Sequence, residues 1–284
     1  KIARAYERIL SVDPHNRAAA AALAPLYQGT EKWARLLGCN EILLADAATK
    51  EERLALTLAS RDLCEKRLGS KSLAFQWTTQ AYELAPESQA LLGDLLRLAG
   101  EAEQWEAVVG ILDQRQAALE TGDAPAAAVR GPRLRLLREL GRVSMARLHD
   151  PDRARGYHRK VLELEPHDAV ALASLEEIAA HLSDWPDMLA VYRKRVEQAP
   201  EAAARVELLF KIALIEEERL ADHDAAAATY GQILNQVPDS LRALRALAKI
   251  HDARGDWEGL AAPLERELAV VQAAGVDAET RADL

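Results

Sequence analysis

The chain has 284 residues, 49% of them hydrophobic and 29% charged, with a formal net charge of −9 at pH 7. Charged and apolar residues are too well mixed for a disordered chain, and no apolar run is long enough to span a bilayer. Binding to nucleic acid draws on clustered Lys and Arg, so the acidic balance argues against it. We therefore expect neither a membrane span nor a nucleic-acid partner.

The two cysteines, Cys39 and Cys64, form no CxxC pair and no disulfide framework. This usage favours reduced thiols in a reducing compartment, so we expect a cytoplasmic protein. The high Ala, Arg and Leu content suggests a bacterial source. Lys1 is not an initiator residue, and the first predicted helix has no partner before it, so we expect either that the array extends beyond this segment or that its terminal caps differ from the other repeats.

A proline and a tryptophan recur together along the chain. Each of four tryptophans stands 19 residues after a proline, in the pairs Pro14–Trp33, Pro86–Trp105, Pro166–Trp185 and Pro238–Trp257. Proline removes a backbone donor and disfavours continuation of a helix. Each of these prolines therefore predicts the end of one helix pair, and each tryptophan predicts the start of the second helix of the next pair.

An Arg-Leu pair alternates with this pattern, in KRLGSKSLA, ARLHDPDRA and ERLADHDAA. Two residues after each leucine stands Ser70, Asp150 or Asp222, a residue type that caps helix N-termini. From tryptophan to the next such leucine is 35 residues twice, but 43 residues between Trp105 and Leu148. The difference locates an inserted loop at residues 121–128, TGDAPAAA, which has the small residues, Gly and Pro of a loop.

These landmarks predict a single repeat array over residues 1–284. Its parts are a partial repeat at 1–14, helix pairs at 15–48, 49–86, 87–120, 129–166, 167–200, 201–238 and 239–274, the loop at 121–128, and the start of a further repeat at 275–284.

The spacing resembles that of the tetratricopeptide repeat (TPR), a helix–turn–helix of about 34 residues. RGDWEGLAAPLEREL is similar to the turn and second helix of that family, and Ala74, Ala154 and Ala226 match its small residue twelve positions before the proline. Tyr230 matches its aromatic position, where His158 departs from the pattern. The resemblance implies an all-α fold, a right-handed α-solenoid of about seven antiparallel helix pairs whose first helices line a groove for a peptide or partner helix.

Two interpretations of the tryptophans remain open. In the first, each ring covers the turn of its helix pair and buries its apolar face against the neighbouring pair, with the indole N–H free to bond a carbonyl or water. In the second, the rings form an exposed row that binds a ligand. The first predicts a large loss of stability when a tryptophan is truncated.

The sequence contains no recognisable catalytic or metal-binding pattern. None of the seven histidines forms HxxxH or stands near a cysteine at metal-ligand spacing, and His149 and His223 flank helix starts as turn residues do. The chain has no GxSxG, and GSKS at 69–72 lacks the upstream glycine of a phosphate loop. We expect no catalytic residue, no metal, no cofactor and no enzymatic activity in this segment.

The candidate partner-binding residues are basic. Arg242, Arg245 and Lys249 stand at i, i+3 and i+7 of one first helix, and Arg97 lies on an earlier first helix. Such a stripe can bind an acidic segment or a C-terminal carboxylate, while the alternative is a solvated surface.

The leading functional hypothesis is a non-catalytic scaffold for protein or peptide partners. The alternatives are a ligand- or peptide-sensing regulatory region and a substrate-binding superhelix, each part of a larger protein whose effector or catalytic domain lies outside the segment. The sequence leaves the oligomeric state open.

Overall fold

A computed structural model describes residues 2–273, and helices follow one another through this range without a strand between them. The chain forms two compact units, the first ending at Asp150 and the second beginning at Pro151. The first unit contains α1 (Ile2–Val12), α2 (Arg17–Gly29), α3 (Trp33–Ala45), α4 (Lys50–Lys66), α5 (Lys71–Leu84), α6 (Gln89–Ala102), α7 (Trp105–Thr121) and α8 (Ala126–Ala146). The second contains α9 (Pro151–Leu164), α10 (Ala169–Leu182), α11 (Trp185–Gln198), α12 (Ala202–Glu218), α13 (His223–Gln236), α14 (Leu241–Arg254) and α15 (Trp257–Ala273).

Within each unit, every helix packs against the helix that follows it in the chain. Connections of two to four residues join these neighbours, so successive helices run antiparallel. Each unit is thus an all-α stack of consecutive helix pairs, which confirms the expected fold class. The boundary between the units falls inside the predicted pair 129–166.

Polar caps fix where the helices begin. Asn16, Ser88, Asp168 and Ser240, each two residues after a proline, accept a hydrogen bond from the backbone N–H three residues later. Ser70 and Asp222 cap α5 and α13 in the same way, as expected from the sequence. These side-chain oxygens satisfy donors that a helix N-terminus leaves unpaired.

The tight turns inside the helix pairs share one backbone conformation. A single residue in each has positive φ, and the set is Glu31, Gly69, Glu103, His149, Ser183, Ala221 and Gly255. Four members lie two residues before a tryptophan, and three lie directly after the leucine of an Arg-Leu pair. A left-handed residue lets backbone N–H groups bond the last carbonyls of the first helix, which ends the helix and reverses the chain.

The region between Trp105 and Leu148 differs in detail from the expected loop. Only residues 122–125 separate α7 from α8, while residues 126–128 form the first turn of α8, which is 21 residues long. Alanines at 126–128 are strong helix formers, which explains why the insertion lengthens a helix. The predicted repeat start at 275–284 lies outside the described residues.

The second unit is built around a continuous apolar cluster. Met188, Leu189 and Tyr192 of α11 pack with Val206, Leu209 and Phe210 of α12, and Tyr230 of α13 joins them. His158 of α9 is also buried, with 4% of its surface exposed, because the helix directs it inward where the repeat pattern has an aromatic residue.

Three tryptophans pack against the helix pair that follows them, as the first interpretation expects. The guanidinium carbons of Arg67, Arg147 and Arg219 lie 5.0, 5.1 and 5.0 Å from the ring centres of Trp33, Trp105 and Trp185, respectively. We call these contacts the Arg–Trp stacks. The expectation is wrong for Trp257, whose side chain is 69% exposed because no described helix follows α15 to cover it.

Candidate functional site

The predicted basic stripe lies on the exposed side of α14. Arg242, Arg245 and Lys249 are all exposed, while Leu244 and Ala248 on the opposite side of the helix are buried. The side chains of Arg245 and Lys249 are 59% and 76% exposed. The helix period therefore presents the three cations on one surface, as the sequence predicts.

Arg242 contacts an aromatic ring, whereas Arg245 and Lys249 pair with carboxylates. Its guanidinium carbon lies 4.0 Å from the centre of the Phe210 ring of α12. Within residues 2–273, it has no hydrogen bond or ion pair with another side chain. A cation over an aromatic ring is attracted by the ring's quadrupole, so the guanidinium is held in place while its N–H groups remain available.

The other two cations pair with carboxylates, of which one is buried and one is partly buried. Nε of Arg245 donates to Glu267 of α15, which is 3% exposed, and Nζ of Lys249 donates to Glu217 of α12 at 2.8 Å. The hydrogen bond to Glu217 raises the pKa of Lys249 above its usual value. The paired cation offsets the free-energy cost of removing each carboxylate from water. The same ion pair fixes the position of each cation at the surface.

Lys211 of α12 adds a fourth exposed cation that the sequence analysis did not single out. Its Nζ lies 5.3 Å from the centre of the Tyr192 ring. Lys211 stands 11 residues after Pro200, as Lys249 does after Pro238 and Arg97 after Pro86, so the repeat spacing could have identified it. We call Lys211, Arg242, Arg245 and Lys249 the basic face.

Arg97 of α6, in the first unit, is committed to its own neighbours. Its two terminal nitrogens donate to Glu65 of α4 and to Asp94 and Glu101 of α6, through four hydrogen bonds of 2.7 to 3.3 Å. These carboxylates raise the pKa of Arg97, with Glu65 the largest contributor. The arrangement ties α4 to α6 and leaves few donors for an external ligand, so a partner-binding role for Arg97 stays a prediction.

Residues 2–273 contain neither a metal-binding cluster nor a membrane-spanning helix. No group of three or more His, Cys, Asp or Glu side chains is placed there to hold a metal ion. No described helix combines the length and apolar character that crossing a membrane requires.

No protein-family model matches the chain, and no curated protein matches it. Solved structures that resemble it include a tetratricopeptide repeat protein from Parabacteroides merdae, which is 12% identical with a TM-score of 0.35 over 99% of this chain and 97% of that one. Another is the C-terminal part of a TPR repeat-containing protein from Cytophaga hutchinsonii, 16% identical with a TM-score of 0.37 over 86% and 93%. A third is PilF from Pseudomonas aeruginosa, 18% identical with a TM-score of 0.34 over 84% and 98%.

The helices of this chain, rather than those overlaps, define its fold. Its helix pairs, proline-terminated ends, capped starts and left-handed turns follow the order that the repeat spacing predicts. Each of the two units is a stack of consecutive antiparallel helix pairs, and the spacing of these pairs resembles that of the tetratricopeptide repeat.

Proposed function

We propose that the chain is a non-catalytic scaffold for protein partners, and that the basic face receives a segment rich in Asp and Glu. The observation that carries the proposal is Arg242, held 4.0 Å above Phe210 without a hydrogen bond to another described side chain. A guanidinium has five N–H donors in a fixed fork and binds a carboxylate through two of them.

Fixed positions favour binding because less side-chain entropy is lost when a ligand arrives. Phe210 orients Arg242, and Glu267 fixes Arg245 through its Nε–H, so the terminal amino groups of Arg245 keep N–H donors for a ligand. Two neighbouring arginines at i and i+3 can then contact successive carboxylates of an extended peptide. The net charge of −9 repels a long polyanion such as nucleic acid, so the proposed ligand is a short acidic segment that contacts the basic face alone.

The proposal also places the protein in a reducing compartment such as the cytoplasm. Cys39 and Cys64 are both buried and form no disulfide, which supports a compartment where thiols stay reduced.

A binding experiment with defined peptides tests the basic face. The probe is a short fluorescein-labelled peptide of alternating Glu and Ser, and its control has Gln in place of Glu. Arg242→Glu with Arg245→Glu is expected to raise the Kd for the Glu peptide by about tenfold or more, which corresponds to ~1.4 kcal/mol. Fluorescence anisotropy at low ionic strength measures the change.

Matched variants distinguish binding at the basic face from a general effect of the protein's net charge. Lys160→Glu with Lys194→Glu makes the same change in net charge at exposed lysines of α9 and α11, and should leave the Kd nearly unchanged. Arg242→Gln with Lys211→Gln removes cations from the face while keeping Arg245 bound to buried Glu267, so a folding defect is avoided. Equal weakening by both charge-reversal pairs would refute a specific acidic-peptide site.

A further inference from the structure

A small cavity in the first unit lies where the turn between α5 and α6 meets α7 and α8. Its volume is about 40 Å³, and it opens to solvent at one side. Most of its wall is apolar and is formed by Pro86, Leu92, Leu119, Pro132 and Leu136. We call this space the α5–α8 cavity.

Tyr82 of α5 lines the cavity and carries a hydroxyl that the repeat itself does not need. The residue is 2% exposed, and its hydroxyl has no hydrogen bond with another described residue. The equivalent positions, four residues before a proline, are occupied by Leu10, Leu162 and Leu234. Packing at this position therefore requires only an apolar side chain. A buried hydroxyl without a partner costs free energy, so a ligand atom that accepts its hydrogen bond gives the tyrosine a purpose.

Three charged side chains line the cavity beside this hydroxyl. Arg115 of α7 donates to Glu87 at 2.6 Å. Arg135 of α8 is exposed and has no hydrogen bond or ion pair with another described side chain. Burial is the main cause that raises the pKa of Tyr82, and all three charges also influence that pKa, so the hydroxyl lies near them. Two cations and one carboxylate leave one net positive charge at the cavity.

The charge and the size of the cavity select the class of ligand. One net positive charge matches a monoanion better than the dianion of a phosphate group. A single water needs about 10–15 Å³ of such space, so the cavity accepts a chain of only a few carbon atoms. A carboxylate has two oxygens that can accept hydrogen bonds from guanidinium groups and from a phenol at the same time. A short hydrocarbon chain that ends in a carboxylate fits both the apolar wall and the donors.

We propose that the α5–α8 cavity binds a short-chain monocarboxylate such as propionate or butyrate. The carboxylate accepts hydrogen bonds from Tyr82, Arg115 and Arg135, while the hydrocarbon chain lies against the apolar wall. Arg115 can take part because its guanidinium has five N–H donors and Glu87 accepts from one terminal nitrogen. This site lies in the first unit, and its ligand differs from the acidic protein segment proposed for the basic face of the second unit.

Saturation-transfer NMR with the whole chain tests the site. The probe is sodium butyrate, titrated at constant ionic strength, and the signal is the saturation that reaches its methyl protons. Butyrate should bind. Butyramide has a similar shape without the charge, and inorganic phosphate has charge without the hydrocarbon chain, so each should bind more weakly by about tenfold or more.

Three variants assign the binding to named groups. Arg135→Gln removes an exposed cation and should raise the Kd for butyrate about tenfold. Tyr82→Phe keeps the buried ring, so the fold is retained, and loss of the hydroxyl should raise the Kd about three- to tenfold. Arg130→Gln is the matched control, because it removes another exposed arginine of α8 that does not line the cavity, and it should leave the Kd unchanged.

Several results would overturn the inference. Absence of butyrate binding, or an unchanged Kd in Tyr82→Phe, would remove the ligand from this cavity. Equal binding of butyramide would show an apolar cavity that does not select an anion, and tighter binding of phosphate would show a site for dianions. Equal weakening by Arg130→Gln would indicate a general charge effect. The Glu–Ser peptide should still bind in the presence of saturating butyrate, and its displacement would assign both ligands to one site.

Discussion

The guanidinium of Arg219 lies 5.0 Å above the ring of Trp185, and this contact joins the start of one second helix to the end of the next first helix. The two residues are 34 apart in the chain, as are Arg67 and Trp33. The Arg–Trp stack therefore explains why an Arg-Leu pair alternates with tryptophan along the sequence. The tryptophan motif supplies the ring of each contact, and the Arg-Leu motif of the following helix pair supplies the guanidinium.

Truncation of Trp185 and Trp257 should have different effects on stability. Trp185→Ala removes a partly buried ring that packs against the core of the second unit and should lower the free energy of unfolding by about 3 kcal/mol. Trp257→Ala removes an exposed ring and should cost less than about 0.5 kcal/mol. Urea unfolding followed by far-UV circular dichroism measures both.

The arginine provides a control for that comparison. Arg219→Ala should cost about 0.5–1 kcal/mol in the native background and nearly nothing when Trp185 is already Ala. Similar losses for the two tryptophan variants would contradict the seam interpretation of Trp185.

The left-handed turns allow a stabilising substitution. Ala221 has φ of 52°, where a Cβ is strained, so Ala221→Gly should raise the free energy of unfolding by about 0.5–1 kcal/mol. Gly69 has φ of 65° with open space around its Cα, so Gly69→Ala should destabilise by about 1 kcal/mol through the backbone alone. Thermal and urea unfolding give both values.

Substitution by glycine inside a helix should change the free energy of unfolding in the opposite direction. Ala228 is exposed inside α13, and Ala228→Gly should destabilise by about 1 kcal/mol because glycine is a poor helix former. If Ala221→Gly also destabilised, strain at this turn would be ruled out.

His158 should make stability depend on pH. Its burial lowers its pKa below the usual value, an effect that outweighs the opposite influence of Asp168, and its Nδ1 has no hydrogen-bond partner among residues 2–273. The unfolded chain binds a proton near pH 6.5 while the folded chain does so only at lower pH, so the unfolded state carries more protons in between. The free energy of unfolding should therefore fall as pH decreases below about 6.5, by up to ~1.4 kcal/mol per pH unit.

Urea unfolding between neutral and mildly acidic pH measures this slope. His158→Phe should reduce the slope, whereas His181→Gln, at an exposed position of α10, should leave it unchanged. An unaltered slope in His158→Phe would assign the pH dependence to other groups.

The helices could be predicted from the sequence because their signals act locally. Pro238 ends α13 through its own ring, and Asp222 caps α13 through a bond to a residue three positions away. Contacts between distant residues could not be predicted in the same way. The pairing of Arg245 with Glu267 spans 22 residues, and that of Arg97 with Glu65 spans 32, and each depends on how two helices rotate against each other.

Local rules also failed where two of them competed. Gly122 and Pro125 lie in a loop as predicted, but the alanines at 126–128, which were predicted to belong to that loop, form the first turn of α8. Trp257 shows the same limit, because its sequence surroundings match those of Trp185 and, among the described residues, only Trp185 has a following helix that covers it.

The Arg–Trp stack has a consequence for how such an array can lengthen. From Trp185 to Trp257 is 72 residues, which is two helix pairs rather than one. Gene duplication of a single helix pair would place a tryptophan next to a helix that lacks the arginine. The indole would then have no guanidinium to stack on it. Duplication of a four-helix block preserves every such junction, so evolutionary growth in steps of four helices is the route that this architecture favours.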